Sequence, residues 1–268
     1  MVLDLLQFSF VQRALLAGVV LAILYATLGV FVVIRKMSFW SEGIAHASLA
    51  GVAIALVTGT QPLIVALLVA ILFAVLMTQL ENKTKLSYDT LIGVLFTSFM
   101  ALGLVIMNQV SGYQSELMSY LFGNILTISR TDLLITLLMT TAIIIYVLNF
   151  NKQLVMSSLN HDLAVVSGVR TKLHDQLFTI ILAVAVVLGV KLVGIILVSA
   201  LLIIPPAIAK LTSKSLYGFQ LQAQFWSLGI VLLGIILSLI FNQPSGPVII
   251  LTGTISFLFI AIIKGRRA

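Results

Sequence analysis

The feature that most constrains this chain is a repeated one. Runs of about twenty apolar residues recur along it, each long enough as an α-helix to cross a hydrocarbon layer roughly 30 Å thick. Nine can be read: Leu15–Ile34, about Gly43–Gly59, Pro62–Leu80, Leu91–Val110, Leu133–Phe150, a sixth over Leu177–Val190 beginning near Leu173, Leu192–Ile208, Phe225–Phe241 and Val248–Ile263. A barrel would show short alternating strands instead, and none is evident. Hydrophobic residues make up 61% of the 268 and charged residues only 9%, against about 25% charged in a soluble domain. The sequence therefore predicts an all-α integral membrane protein, a polytopic bundle of about nine (8–9) transmembrane helices in a single transmembrane domain over residues 1–268. Eight is the count if the sixth and seventh runs merge around Lys191.

The net charge of +7 is spread one to three residues at a time between the runs, which reads as topology and not as a nucleic-acid surface. Lys and Arg favour cytoplasmic loops. Twelve of the fifteen fall after runs one, three, five, seven and nine: Arg35, Lys36, Lys83, Lys85, Lys152, Arg170, Lys172, Lys210, Lys214, Lys264, Arg266 and Arg267. Only Arg13, Arg130 and Lys191 lie on the other side. The expectation is an external N-terminus and a cytoplasmic C-terminus. Met1–Gln12 carries Asp4 and no basic stretch, so the first run is expected to stay as a helix and not to be cleaved as a signal. Ser111–Arg130, with Glu116 and Arg130, is too polar for a span and is expected to be a surface or re-entrant segment packed on protein.

Within the second run, Glu42 and His46 stand four residues apart, on one face of a helix, about 5–6 Å between Cβ atoms. An ionisable group at membrane depth costs about 2.5–3.5 kcal/mol even on the lenient insertion scale, so each needs a reason. Carboxylate plus imidazole suits zinc, manganese or iron(II), and two ligands leave a shell open enough for an ion to depart. A structural Glu–His clasp between helices is the other reading. Counted from Lys36 along a continuous helix, Glu42 lies roughly 9 Å and His46 roughly 15 Å inward, which brings His46 to the midplane. Gly43, Ala45, Ala47, Ser48, Ala50 and Gly51 around them suit close helix packing.

Two further places stand out. Leu163, Val166 and Val169 are spaced for a short amphipathic helix, interrupted by Gly168, in the polar stretch Asn151–Gln176; it reads as a docking element for a partner or as a membrane-surface helix. Pro205 and Pro206 remove two backbone donors and predict a kink or break in the seventh run, so Ser199–Pro206 is a second pathway candidate, with a packing kink as the alternative. His161 and His174 read as solvated or helix-capping residues. Cysteine is absent, which excludes disulfides and thiolate sites. No GxxxxGK[ST], HExxH or GxSxG pattern occurs, so the chain is not expected to be an enzyme, and the energy for transport must come from a partner or a gradient.

SFWSEGIAHASLAGVAIAL (Ser38–Leu56), DTLIGVLFTSFMALGL (Asp89–Leu104), LMSYLFGNIL (Leu117–Leu126), LNHDLAVVSGV (Leu159–Val169) and KLVGIILVSALLIIPPAIAK (Lys191–Lys210) together resemble the membrane permease subunits of bacterial ABC importers for zinc, manganese or iron(II), an ABC type II importer-like architecture. The resemblance implies a homodimeric permease in the bacterial cytoplasmic membrane. It implies a cytoplasmic ABC ATPase dimer that binds the ATP, an extracytoplasmic metal-binding delivery protein, the lipid bilayer as surroundings, no nucleic acid, and no cofactor of the permease itself. By resemblance, Glu42 and His46 are transient ligands of the transported ion, with Glu42 where the family usually has Asp. The coupling segment, about residues 151–176, would meet the ATPase through Leu159, Asp162, Leu163, Val166, Gly168 and Val169.

The expected function is import of a divalent transition metal ion through a permease driven by a separate ATPase. A proton-coupled secondary transporter, with Glu42 and His46 as the proton relay, is the main alternative. A membrane scaffold without transport is a third. The choice of metal is left open by a pair that accepts zinc, manganese and iron(II) alike.

Overall fold

Long apolar segments in lipid must satisfy their backbone groups internally, which leaves helices as the economical solution for runs like these. The computed structural model describes residues 7–84, 86–108 and 128–265, and every regular element among them is helical. In chain order these are α1 (Ser9–Ile34), α2 (Trp40–Thr58), α3 (Pro62–Thr84), α4 (Tyr88–Met107), α5 (Arg130–Asn149), α6 (Asn151–Leu159), α7 (His161–Val166), α8 (Thr171–Val193), α9 (Ile195–Thr212), α10 (Leu216–Phe241) and α11 (Ser245–Gly265). Nine of them are long and apolar enough to cross a membrane among the described residues. Lys85, Glu116, Arg266, Arg267, the block Leu117–Leu126 and the reading of 111–127 as re-entrant lie outside those residues.

The expected nine runs correspond to nine helices, and α8 and α9 do not merge. Gly194, with φ +83° and ψ 165°, separates them, a backbone conformation that residues with a Cβ rarely adopt. Helix ends extend beyond the apolar runs because polar residues cap them. Ser87 accepts from Thr90 N–H at the start of α4, Asn160 from Leu163 N–H at α7, and Ser215 from Gly218 N–H at α10. Each cap satisfies one of the donors that a helix start leaves open. At the other end of α2, left-handed Gly59 turns its N–H back to the Ala55 carbonyl.

Two compact units divide the helices. One holds α1, α5, α9, α10 and α11; the other holds α2, α3, α4, α6, α7 and most of α8. In the first unit, α9, α10 and α11 pack together: a Cβ added at Gly234 of α10 would come 2.7 Å from the Ile249 Cα of α11. Hydrogen bonds tie α10 to α1, with Gln224 Nε2 donating to Thr27 Oγ1 at 2.7 Å and the buried Ser227 hydroxyl to the Ala22 carbonyl at 2.9 Å.

In the second unit α2 is wedged against α3 and α4. A Cβ on Gly51 would sit 2.6 Å from the Ala66 Cα of α3, and one on Gly103 of α4 would sit 3.2 Å from the Ala50 Cα. Small residues thus let the backbones approach, which is how helices associate where lipid removes the hydrophobic drive.

Of the kink or break expected at Pro205–Pro206, the break is corrected. α9 runs through both prolines without interruption. A Pro at 206 leaves the Leu202 carbonyl without its helical donor, and that oxygen lies against Gly29 of α1, where an added Cβ would overlap it. The helix continues because a neighbouring backbone without a side chain accommodates both the freed carbonyl and the proline ring. The discontinuity in this part of the chain falls at Gly194.

Candidate functional site

α2 begins later than a continuous helix from Lys36 would require. Arg35–Phe39 forms a turn, with Lys36 at φ +57°, and Trp40 is the first helical residue. Counted along the axis from Trp40, Glu42 stands about 3 Å and His46 about 9 Å into the helix, at 1.5 Å per residue. The pair is therefore nearer the end of its span than the sequence suggested, and His46 does not reach mid-helix. Glu42 lies in the first turn of α2, where the unpaired N–H groups and the helix dipole favour a negative charge.

The two side chains converge as their spacing predicts. His46 Nδ1 is 3.7 Å from Glu42 Oε2, with the His46 side chain 17% and the Glu42 side chain 40% exposed. The shorter contact of Nδ1 is to the backbone: 2.9 Å to the Glu42 carbonyl oxygen. A carbonyl only accepts, so Nδ1 carries the proton in this bond and the neutral ring keeps its lone pair on Nε2. Such a bond fixes both tautomer and ring orientation in the manner of groups that orient metal-binding imidazoles. The ring is also held edge-on against Phe96 of α4, with centroids 4.7 Å apart and planes at 75°.

Trp40 anchors the start of the helix. It is fully buried, edge-on to Phe73 of α3 at 6.5 Å and to Tyr88 of α4 at 6.3 Å. Gly43 makes room for the Phe73 ring, whose Cζ would be 2.8 Å from an added Cβ. The carboxylate and imidazole thus project from a helix whose other faces are locked. No group of three or more His, Asp or Glu side chains able to hold a metal occurs among the described residues. Among the described residues, the site within one chain is a pair.

His161 and His174 stay away from it. His161 Nε2 lies 3.3 Å from Thr171 Oγ1, and the His174 ring packs on Phe150 at 5.2 Å. In the 151–176 segment the amphipathic pattern resolves into two helices. α7 ends at Val166, before Gly168 at φ +79°, so Val169 is not on its face. Leu159, Leu163 and Val166 are exposed, Val166 at 86%, while Ala164 is buried. Asp162 stands in the first turn of α7. These side chains present apolar area and one charge outward. Ser199 on α9 is buried, and its hydroxyl finds no hydrogen-bond partner among the described residues.

Sequence reasoning missed Arg35 as anything but a boundary marker, and missed Asp175 altogether. Arg35 Nη1 binds Asp175 Oδ1 at 2.8 Å, across a sequence separation that no local spacing rule reaches.

Known proteins are similar along nearly the whole chain. The high-affinity zinc uptake system membrane protein ZnuB of Haemophilus influenzae is 32% identical over 97% of this chain and 99% of its own length. The manganese import system permease protein ScaB of Streptococcus gordonii is 32% identical over 94% of this chain and 90% of its own length. Among solved structures, PsaBC from Streptococcus pneumoniae in complex with Fab superposes with a TM-score of 0.85 at 32% identity, covering 97% of this chain and 94% of that one. Residues 7–264 match the ABC 3 transport family, and with relatives of this identity along nearly its whole length the chain belongs to that family of membrane permeases.

Proposed function

We propose that this chain is the membrane-spanning permease subunit of an ATP-binding-cassette importer that brings a divalent transition metal ion, zinc, manganese or iron(II), into the cytoplasm. It works as a homodimer, with two cytoplasmic ATPase subunits and an extracytoplasmic metal-binding delivery protein, its N-terminus external and its C-terminus cytoplasmic. The observation that carries this reading is the Glu42–His46 pair. A backbone-held Nδ1–H leaves Nε2 as a lone-pair donor one turn from a carboxylate, in a helix otherwise given over to apolar packing.

The chemistry comes from those two groups. The carboxylate attracts the dication as its waters are stripped, and Nε2 supplies the softer ligand. Each copy of a homodimer contributes the same pair, since a two-fold axis repeats every patch. Neither pair alone closes a four-ligand shell of the kind that holds structural zinc, which suits an ion that must be released. Exposed Leu159, Leu163 and Val166, with Asp162, form the surface offered to the ATPase, and Gly168 with Val169 closes that segment. Ser199 and the Pro205–Pro206 stretch of α9 remain a second pathway region.

Uptake of radioactive zinc and manganese by cells carrying Glu42→Ala or His46→Ala, at matched expression, tests the site. Loss of about tenfold or more in each is expected, the scale of removing one ligand-orienting or ligating group. Wild-type uptake in both would remove the assignment. Uptake that persists without any ATPase and collapses with the proton gradient would favour a proton-coupled carrier.

A further inference from the structure

A second set of ionisable groups gathers where the transport reading has not used them. Arg35, in the turn that leads from α1 into α2, reaches into a cleft of about 360 Å³. Its side chain is only 9% exposed, and elements distant in sequence hold it. Nη1 binds Asp175 Oδ1 of α8 at 2.8 Å, Nε donates to Ser158 Oγ of α6 at 2.7 Å, and the guanidinium carbon lies 4.6 Å above the Phe178 ring of α8. Asp175 is held in turn by α6 and approached by α7. Ser157 Oγ donates to its Oδ1 at 2.7 Å, and His161 Nδ1 lies 3.8 Å from its Oδ2.

We infer that Arg35 and Asp175 are positioning residues that transmit movement of α6 and α7 to α2, and so set where Glu42 and His46 stand. This inference rests on the transport reading above. Three physical points support it. The guanidinium fork is planar, so bonds at Nη1 and Nε to two different helices fix those helices relative to the Arg35 backbone, which a flexible lysine cannot do. The turn carrying Arg35 opens directly into Trp40, which is fully buried between Phe73 and Tyr88. A shift of the turn is therefore passed to α2 instead of being absorbed by a loose side chain. Finally, Nη2 of Arg35 has no hydrogen-bond partner among the described residues, leaving one donor free for a second arrangement. α7, whose His161 lies against Asp175, exposes Leu163 and Val166, so a partner pressing there acts on a helix that meets the ion pair.

A static clamp would show the same contacts, and function separates the two. The complete importer, with its ATPase and delivery protein in proteoliposomes, is assayed for ATP hydrolysis and for zinc and manganese entry. In Arg35→Gln and Asp175→Asn, the ATPase still co-purifies and hydrolysis stays within about twofold, while metal moved per ATP falls about tenfold, within the range of measured coupling between sites. The double variant is no worse than either single, as expected of two groups acting as one link. Arg35→Lys, which keeps the charge and loses the fork, stays within about twofold of the lowered metal per ATP of Arg35→Gln. Ser157→Ala gives a drop of about two- to fivefold and serves if either charge variant does not assemble.

Unchanged metal per ATP in both single variants would overturn the inference. So would hydrolysis and entry falling in proportion, the mark of a clamp that only holds the fold. A wild type that shows no ATP-driven entry would instead overturn the transport reading, and this inference with it.

Discussion

The Glu42–His46 pair and the Arg35–Asp175 pair are both polar pairs in an apolar chain, yet they are built in opposite ways. Glu42 and His46 sit on one helix, 3.7 Å apart, with the carboxylate 40% exposed and, among the described residues, no side chain other than its partner against it. Arg35 and Asp175 come from segments far apart in sequence, close to 2.8 Å, and carry hydrogen bonds from Ser157 and to Ser158 together with a ring beneath the guanidinium. A group that must take up an ion and let it go gains from being left with unspent bonding capacity. A group that links several helices gains from many partners, because movement of one helix is then felt by the others. The difference teaches that polarity in a membrane chain has two uses, and that the number of protein partners tells them apart.

The comparison breaks most easily at its densely bonded side. Removing one partner of a buried pair costs about 3–5 kcal/mol when the other charge is left stranded. Asp175 is a quarter exposed and can regain water, so Arg35→Ala is expected to destabilise the protein by about 2–3 kcal/mol, read from thermal or denaturant unfolding in detergent. Glu42→Ala by the same measurement should change stability by about 0.5 kcal/mol or less, as for an exposed single pair. Equal losses in the two variants would show that the partner count does not distinguish structural from ion-handling pairs.

A smaller effect is expected where the loose pair depends on packing. On Gly51 a Cβ would meet the Ala66 backbone, which cannot rotate away as a side chain can. Gly51→Val is therefore expected to cost about 1–3 kcal/mol as overpacking and to push α2 from α3, taking the His46 ring from its contact with Phe96. Its signature is a loss of metal uptake larger than the loss of folded protein. If uptake and folded protein fall together, the position of α2 matters only for the fold.

How much of this is legible in the sequence depends on the range of the signals. Run length fixes a membrane helix locally, so nine spans can be read from hydropathy alone, and nine helices of that kind appear among the described residues. The i, i+4 spacing of Glu42 and His46 is equally local. The start of α2 is not, because Arg35–Phe39 reads as continuous with the helix after it until the backbone at Lys36 turns to φ +57°. Pro205 and Pro206 mislead for the opposite reason: Gly29 of another helix keeps α9 whole, and it is invisible in the neighbourhood of the prolines. Arg35, Ser158 and Asp175 have no periodic relation at all. Ionic contacts between distant segments are settled only when the helices pack.

The finest distinction concerns position 42 itself. The resemblance drawn from the sequence implies Asp at position 42, and the Glu42 carboxylate is one methylene farther from the backbone than an Asp would put it, about 1.5 Å. In Glu42→Asp the helix keeps a negative charge in its first turn, where the dipole favours it, and loses little buried area, so stability should move by no more than about 0.5 kcal/mol. What changes is reach. A shorter arm draws the oxygens back from His46, already 3.7 Å away, and a zinc ion, which holds oxygen and nitrogen ligands at about 2.0–2.2 Å, is more sensitive to that withdrawal than the larger manganese ion. Competition between zinc and manganese in uptake assays should therefore shift toward manganese by about two- to fivefold, the scale of altering a ligand without deleting it. An unchanged ratio with unchanged uptake would mean that the carboxylate acts on the ion through charge alone, and that the loose geometry of the pair has no part in selecting the metal.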